Sequence, residues 1–234
     1  MSLLAQAWQW LIDAQQYSGD GSIPIRLLEH LCFTFAALGL ATLIAIPLGY
    51  FIGHTGRGAL WVVGITGAAR ALPSFGLMLL LVLVLGVSTR WWAAILALVI
   101  LAIPPLIAGA YAGVQQIPRT TIDAARAQGM TEWQILFHVE VPLSMPLVFG
   151  GLRGATLQVV ATVTLVAYVG LGGLGYEIIQ GIPLRRFDQT IGTAIVIVAL
   201  ALVLDALLAF ATKLSVPAGV SAGRLADVRA KDAG

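Results

Sequence analysis

Long apolar stretches, separated by short polar ones, make up nearly all of this chain. Apolar runs at about 31–53, 93–114, 146–169 and 191–212 each hold roughly the twenty residues that cross a bilayer as a helix. A further run, 59–87, is too long for one straight span and carries Arg70 and Pro73 near its middle. It predicts one broken helix, interrupted at Arg70-Ala-Leu-Pro-Ser74, and so about five spans in all. Two short helices making a sixth span is the alternative. Pro47 and Gly49 lie inside the first run, where a membrane helix tolerates them, and Pro104-Pro105 should bend the third. Residues 3–12 cover only half a membrane thickness. Trp8 and Trp10 suit the headgroup layer, so an interfacial helix is expected there, followed by a loop through Gly19–Pro24. Residues 25–30 lead into the first span. The chain then divides into an N-terminal segment (1–30), one transmembrane domain (31–212) and a flexible tail (213–234). No cleavable signal peptide is expected, because the first twenty-odd residues lack a basic start and hold Asp13 and Asp20.

The longest polar interruption, 115–142, has its own local grammar. Thr120 with Asp123 three residues on reads as an N-cap and its acidic N3 residue. Gly129 sits where a left-handed residue would end that short helix. Thr131 with Gln134 is a second capping box, opening a second short helix that Pro142 should close. Trp133, Leu136, Phe137 and Val141 give this helix an apolar stripe. Glu132, Gln134, His138 and Glu140 form its other face. A docking knob for a partner and an ordinary interfacial hairpin both fit that pattern.

Composition narrows the class. The chain is 59% hydrophobic and 10% charged, with a mean hydropathy of +0.94, against about 25% charged residues in soluble domains. The apolar runs are too long for barrel strands, so the protein is all-α and membrane-integral. One cysteine, Cys32, allows no disulfide within the chain and reads as packing filler. The net charge of +2 points to no nucleic acid. His30, His54 and His138 fall at span ends or loops. His54 lacks a second ligand at metal spacing and reads as a solvated loop residue, so no metal site is expected. Gly170-Leu-Gly-Gly-Leu-Gly175 matches the dinucleotide pattern but follows a membrane helix and has no acid about twenty residues on. Its glycines instead suit a tight turn or a close backbone approach. The only lysines are Lys213 and Lys231, and no phosphate-binding loop occurs. The chain therefore cannot bind ATP phosphates in that manner, and no cofactor and no catalytic residue are expected in it.

Orientation follows from the basic residues. With five spans, Arg57, Arg119, Arg126, Arg153 and the tail bases Lys213, Arg224, Arg229 and Lys231 share one side; Arg26, Arg90, Arg185 and Arg186 share the other. The excess puts the 115–142 loop and the tail in the cytoplasm and the N-terminus outside. Arg70 is taken as intramembrane, about 18 Å into its span. Asp205, the acid at comparable depth, is a potential partner, and Arg70, Pro73 and Ser74 are candidates to line a path through the membrane.

The spacing Asp123-Ala124-Ala125-x3-Gly129-x9-Val139-x-Val141-Pro142 closely resembles the EAA loop of ABC importer permeases, with conservative changes at three positions. Arg70–Phe75, Gly129–Ile135 and Tyr168–Gly175 resemble the osmoprotectant branch, which carries glycine betaine, choline, carnitine and similar quaternary amines. Methionine permeases share a version of the last motif. The resemblance covers roughly residues 27–212. It implies a type I importer permease of MetI-like fold in the bacterial cytoplasmic membrane. It further implies that Asp123, Ala124, Ala125, Gly129, Glu132, Trp133, Glu140 and Pro142 couple to a cytoplasmic ATPase dimer that binds ATP and magnesium. A second permease, identical or related, would complete the pathway, and an external binding protein would deliver the solute. Gly170, Gly172, Gly173 and Gly175 join the candidate pathway residues. An ion-coupled carrier would need internal repeats and more charges near the midplane. An intramembrane enzyme would need a catalytic set within the spans.

Overall fold

A computed structural model describes residues 2–215. The expected tail beyond residue 215, with Arg224, Arg229 and Lys231, lies outside the described residues, as does the side chain of Arg70. The described chain is helical: α1 (Leu3–Ile12), α2 (Ile23–Thr55), α3 (Ala59–Ala71), α4 (Ser74–Leu85), α5 (Arg90–Gln115), α6 (Arg119–Ala127), α7 (Glu132–Ile135), α8 (Val141–Val163), α9 (Gly175–Gly181) and α10 (Phe187–Leu214). Among the described residues, four helical stretches are long and apolar enough to cross a membrane: Ile23–Thr55, Val87–Gln115, Glu132–Val169 and Phe187–Leu214.

Helix α5 is the axis, with α2 and α8 on its flanks, α4 beside it and α10 outside α8. Its inward positions are small: Ala94, Ala97, Ala102 and Ala110 are fully buried. Helices in lipid gain little from hiding apolar surface, so close backbone approach between small residues has to hold them. A Cβ on Gly109 would lie 2.8 Å from the carbonyl oxygen of Leu147 and 2.9 Å from the Cα of Gly151. One on Gly49 would lie 2.6 Å from the Cβ of Ala110. Polar ties join α2 to α8 near both ends. The Tyr50 and Ser144 hydroxyls lie 2.9 Å apart, and buried His30 places Nε2 3.0 Å from the Val160 carbonyl oxygen.

The broken segment is two helices, as 59–87 predicts. Leu72 (ψ 120°) and Pro73 (ψ 106°) are extended between α3 and α4. A residue before proline is driven out of the helical region, which puts the break at Leu72. At 13 and 12 residues, the two helices are about 20 and 18 Å long, each too short to span alone.

Several boundaries differ from expectation. Helix α2 begins at Ile23, with Pro24 in its first turn, because proline suits a position whose N–H has no partner. Helix α1 is present, but Trp10 is not free to face lipid: it is buried against Gly192 of α10, where the missing side chain leaves room for the indole. Trp8 is exposed. Cys32 is exposed on α2, so it does not fill the core.

Gly109→Val should lower the melting temperature of the detergent-solubilised protein by several degrees, since overpacking costs about 1–3 kcal/mol. Gly39→Ala, on an open surface of α2, should leave it within a degree or two. Thermal unfolding followed by size-exclusion fluorescence measures both.

Candidate functional site

The polar loop folds as a compact projection at one end of α5 and α8. Helix α6 starts two residues earlier than Thr120 would dictate: Pro118 occupies the capping position, and Thr121 N–H donates to its carbonyl at 2.9 Å. With Pro118 at the cap, Thr120 falls inside the first turn and its cap is unused. Gly129 ends the helix as its spacing predicts. It has φ +82°, its N–H donates to Arg126 O at 2.9 Å, and Met130 N–H donates to Ala125 O at 3.2 Å. These are the paired bonds that close a helix through a left-handed residue. The Thr131–Gln134 capping box is also formed, with Gln134 Oε1 accepting from Thr131 N–H at 2.8 Å.

Pro142 does not close the second helix. Helix α7 continues through a π turn at Leu136–Glu140 directly into α8. Proline cannot donate to the carbonyl four residues back and crowds it. The widened turn, in which Val141 N–H donates to Leu136 O, lets the helix pass that point. A rigid rod therefore runs from the projection into the membrane.

Two carboxyl groups of this rod, Glu132 and Glu140, meet His54 at the end of α2. His54 places Nδ1 2.6 Å from Glu140 Oε2 and Nε2 3.5 Å from Glu132 Oε2. Arg126 donates to both Glu132 oxygens, at 2.9 and 3.1 Å. The adjacent guanidinium holds the Glu132 carboxyl below its ordinary range. Gln115 adds a bond to Gly53 O at 3.0 Å. Two readings from sequence change here. His54 is not a solvated loop residue, and Glu140 does not face a partner. The Glu140 side chain is 6% exposed against His54, because a carboxylate buried at the root of the rod needs a paired donor.

What remains exposed is the tip. Asp123, Ala124, Glu132, Trp133 and Phe137 face outward, while Ala125, Ile135 and Leu136 pack inward. The expected apolar stripe is thus split. Trp133 is 71% exposed and stacks on Phe137 with ring centroids 6.0 Å apart. Both rings border an open apolar cleft of about 660 Å³ whose other wall is Ile46, Pro47, Tyr50 and Phe51 of α2.

At the opposite end of the bundle, the glycine loop wraps the start of α2. Gly173 N–H donates to Glu29 Oε2 at 2.7 Å. A Cβ on Gly172 would collide with the same carboxylate, and one on Gly175 with the Thr164 backbone. Gly170 and Gly173 have positive φ. Arg26, over the Tyr176 ring at 4.0 Å, also reaches Glu29 at 3.1 Å and Glu177 at 3.8 Å. Burial pushes the Glu177 carboxyl up, against the opposing pull of Arg26. Pro73 and Ser74 stand at the α3–α4 break, away from this loop in sequence. Phe75 and Tyr168 bring the two regions together, with ring centroids 4.9 Å apart.

Asp205 has a partner that sequence reasoning did not name. Arg153 of α8 donates to both its oxygens, at 2.8 and 2.7 Å. Arg153 was expected on the cytoplasmic side. It lies instead nine residues above Ser144, about 14 Å along α8, so it leaves the count of basic residues at that side. Of the eight bases assigned to that side from sequence, seven are left in the count against four.

The described helices thus form a packed bundle, four of them long and apolar enough to cross a membrane, with a projecting, partly aromatic tip. The chain belongs to the family described as binding-protein-dependent transport system inner membrane component, whose model matches residues 45–218. It is 33% identical over 184 residues to the carnitine transport permease protein OpuCB of Listeria monocytogenes, covering 79% of this chain and 84% of that one. The glycine betaine/carnitine/choline transport system permease protein OpuCB of Bacillus subtilis is 30% identical, covering 87% and 93%. The osmoprotectant import permease protein OsmW of Salmonella typhimurium is 32% identical, covering 80% and 89%. The fold is that of a chain in the inward-facing MetNI methionine ABC transporter, with a TM-score of 0.70 and 22% identity over 81% of this chain and 94% of that one.

Removing one partner of a buried hydrogen-bonded pair leaves the other unsatisfied and costs about 1–3 kcal/mol, whereas apolar replacement of both can be nearly neutral. His54→Ala should therefore lower thermal stability more than the double variant His54→Leu/Glu140→Leu. Melting curves of the two variants check this order. Equal losses would mean the pair does not hold the rod.

Proposed function

We propose that this chain is the permease of an ATP-driven importer for a quaternary-amine osmoprotectant such as glycine betaine, choline or carnitine. Relatives covering most of its length, at about 30% identity, carry those solutes in their names. One structural observation carries the coupling half of the reading. The exposed Trp133–Phe137 tip sits on a rod continuous with α8 and tied through His54 to α2. A push on that tip reaches two membrane helices at once.

In this reading the tip enters a cleft of a cytoplasmic ATPase. Trp133 is its anchor, since interface energy concentrates in buried aromatic side chains. Asp123, Ala124 and Glu132 lie on the contact face, and Gly129 sets the angle between α6 and α7. Ala125, Glu140 and Pro142 support the tip from within. ATP and magnesium bind the ATPase dimer. A second permease, identical or related, completes the path, and an extracytoplasmic binding protein delivers the solute to the end of the bundle that carries Gly170–Gly175. The N-terminus is outside and the C-terminus inside. The basic excess of seven to four supports this orientation without Arg153. Arg70, Pro73 and Ser74, with Gly170, Gly172, Gly173 and Gly175, border the path.

Trp133→Ala should cut co-purification of the ATPase at least tenfold while leaving the melting temperature of the permease within about two degrees, because the ring is exposed. Gly129→Val forces a Cβ into a left-handed residue at about 1–2 kcal/mol and should uncouple ATP hydrolysis from uptake. Vanadate-sensitive uptake of glycine betaine in vesicles holding permease, ATPase and binding protein measures the second effect. Uptake that survives without the ATPase would favour an ion-coupled carrier.

A further inference from the structure

The Arg153–Asp205 pair is unusual in its placement. Arg153 is the only charged residue of α8, and Asp205 the only one of α10 between Asp188 and Lys213. Asp205 lies eight residues before Lys213, about 12 Å along the helix, so the pair sits well inside the membrane. It is not sealed: the side chains are 37% and 26% exposed. Two charges at that depth, even paired, belong against water or protein and not against lipid. The neighbouring surface of α8 agrees. Gly150, Gly154, Leu157, Gln158 and Ala161 recur at three- and four-residue steps as one exposed stripe. A Cβ at Gly150 or Gly154 would meet no atom within 4 Å. The stripe therefore offers open space beside the pair, with Leu157, one turn above Arg153, on its near edge.

The chemistry left unused at the pair defines a ligand class. A guanidinium carries five N–H donors, and Asp205 takes two of them, one from Nε and one from Nη2. The rest can receive a carboxylate. The Asp205 carboxylate in turn faces any cation brought to the same edge. A solute with both charges a few ångströms apart can lie antiparallel across the pair, each of its ends meeting the opposite sign, without a net charge entering the membrane.

We propose that Arg153 and Asp205 form a transit site for a zwitterionic solute on the pathway face of α8, with Arg153 receiving its carboxylate and Asp205 its ammonium. This rests on the importer reading above, and it adds a solute-contacting site within the permease itself. It also implies that Arg153 discriminates zwitterions from plain cations, since a solute lacking a carboxylate gains nothing from the guanidinium.

The test compares maximal uptake of glycine betaine, a zwitterion, with that of choline, a cation, in vesicles containing permease, ATPase and binding protein. Arg153→Met should lower maximal betaine uptake at least tenfold more than maximal choline uptake. Asp205→Asn should lower both. The apolar double variant Arg153→Met/Asp205→Leu keeps a packed contact without stranding a charge, so assembled complex should be recovered in normal amount while betaine uptake falls at least tenfold. Wild-type betaine uptake by that double variant would overturn the proposal and leave the pair a structural tie. Equal losses of betaine and choline uptake in Arg153→Met would also overturn it, as would choline uptake without betaine uptake in the unmodified complex. If the unmodified complex moves none of glycine betaine, choline and carnitine, the importer reading itself falls and takes the site with it.

Discussion

The structure depends on how closely α2 and α8 can approach α5. In a bilayer, apolar side chains are as comfortable against lipid as against each other, so shape and backbone proximity have to fix the bundle. Gly109 against Gly151 and Gly49 against Ala110 supply that proximity. Everything functional inherits its position from these contacts. They set the end of α2 beside the root of α8, which brings His54 onto Glu140. They also fix the rotation of α8, which aims Arg153 at α10 and leaves the Gly150–Ala161 stripe open.

From that frame follows a mechanical reading of the projection. A flexible loop would absorb a displacement. Here the loop is stiffened at each joint: by the left-handed Gly129, by the Thr131–Gln134 capping box, and by a π turn that carries the helix past Pro142 unbroken. The polar cluster of Arg126, Glu132, His54 and Glu140 then ties the rod laterally to α2. The exposed aromatic tip and the membrane helices are thus one lever, and the family to which the chain belongs transports its solutes with the help of other components.

Local features were legible in the sequence because their causes are local. Gly129 and the Thr131–Gln134 box each depend on residues within one turn, and the break before Pro73 on one neighbour. The long apolar runs announced the helices for the same reason. Contacts between distant residues were not legible. His54 and Glu140 are 86 positions apart, Arg153 and Asp205 52, and Glu29 and Gly173 144; no spacing rule connects such pairs. His54 therefore read as solvated, and Glu140 as a partner-facing acid. Pro142 misled for a different reason. A proline can end a helix, bend it or be carried past by a widened turn, and at Pro142 the chain takes the widened turn.

The account stands on the exposed tip meeting a cytoplasmic ATPase. The direct measurement is cysteine cross-linking of Trp133→Cys, in a Cys32→Ser background, within intact cells that express the whole transporter. The account predicts a cross-link from position 133 to the ATPase subunit and no labelling there by a membrane-impermeant maleimide added outside. Labelling from outside, or cross-links confined to the permease itself, would contradict it.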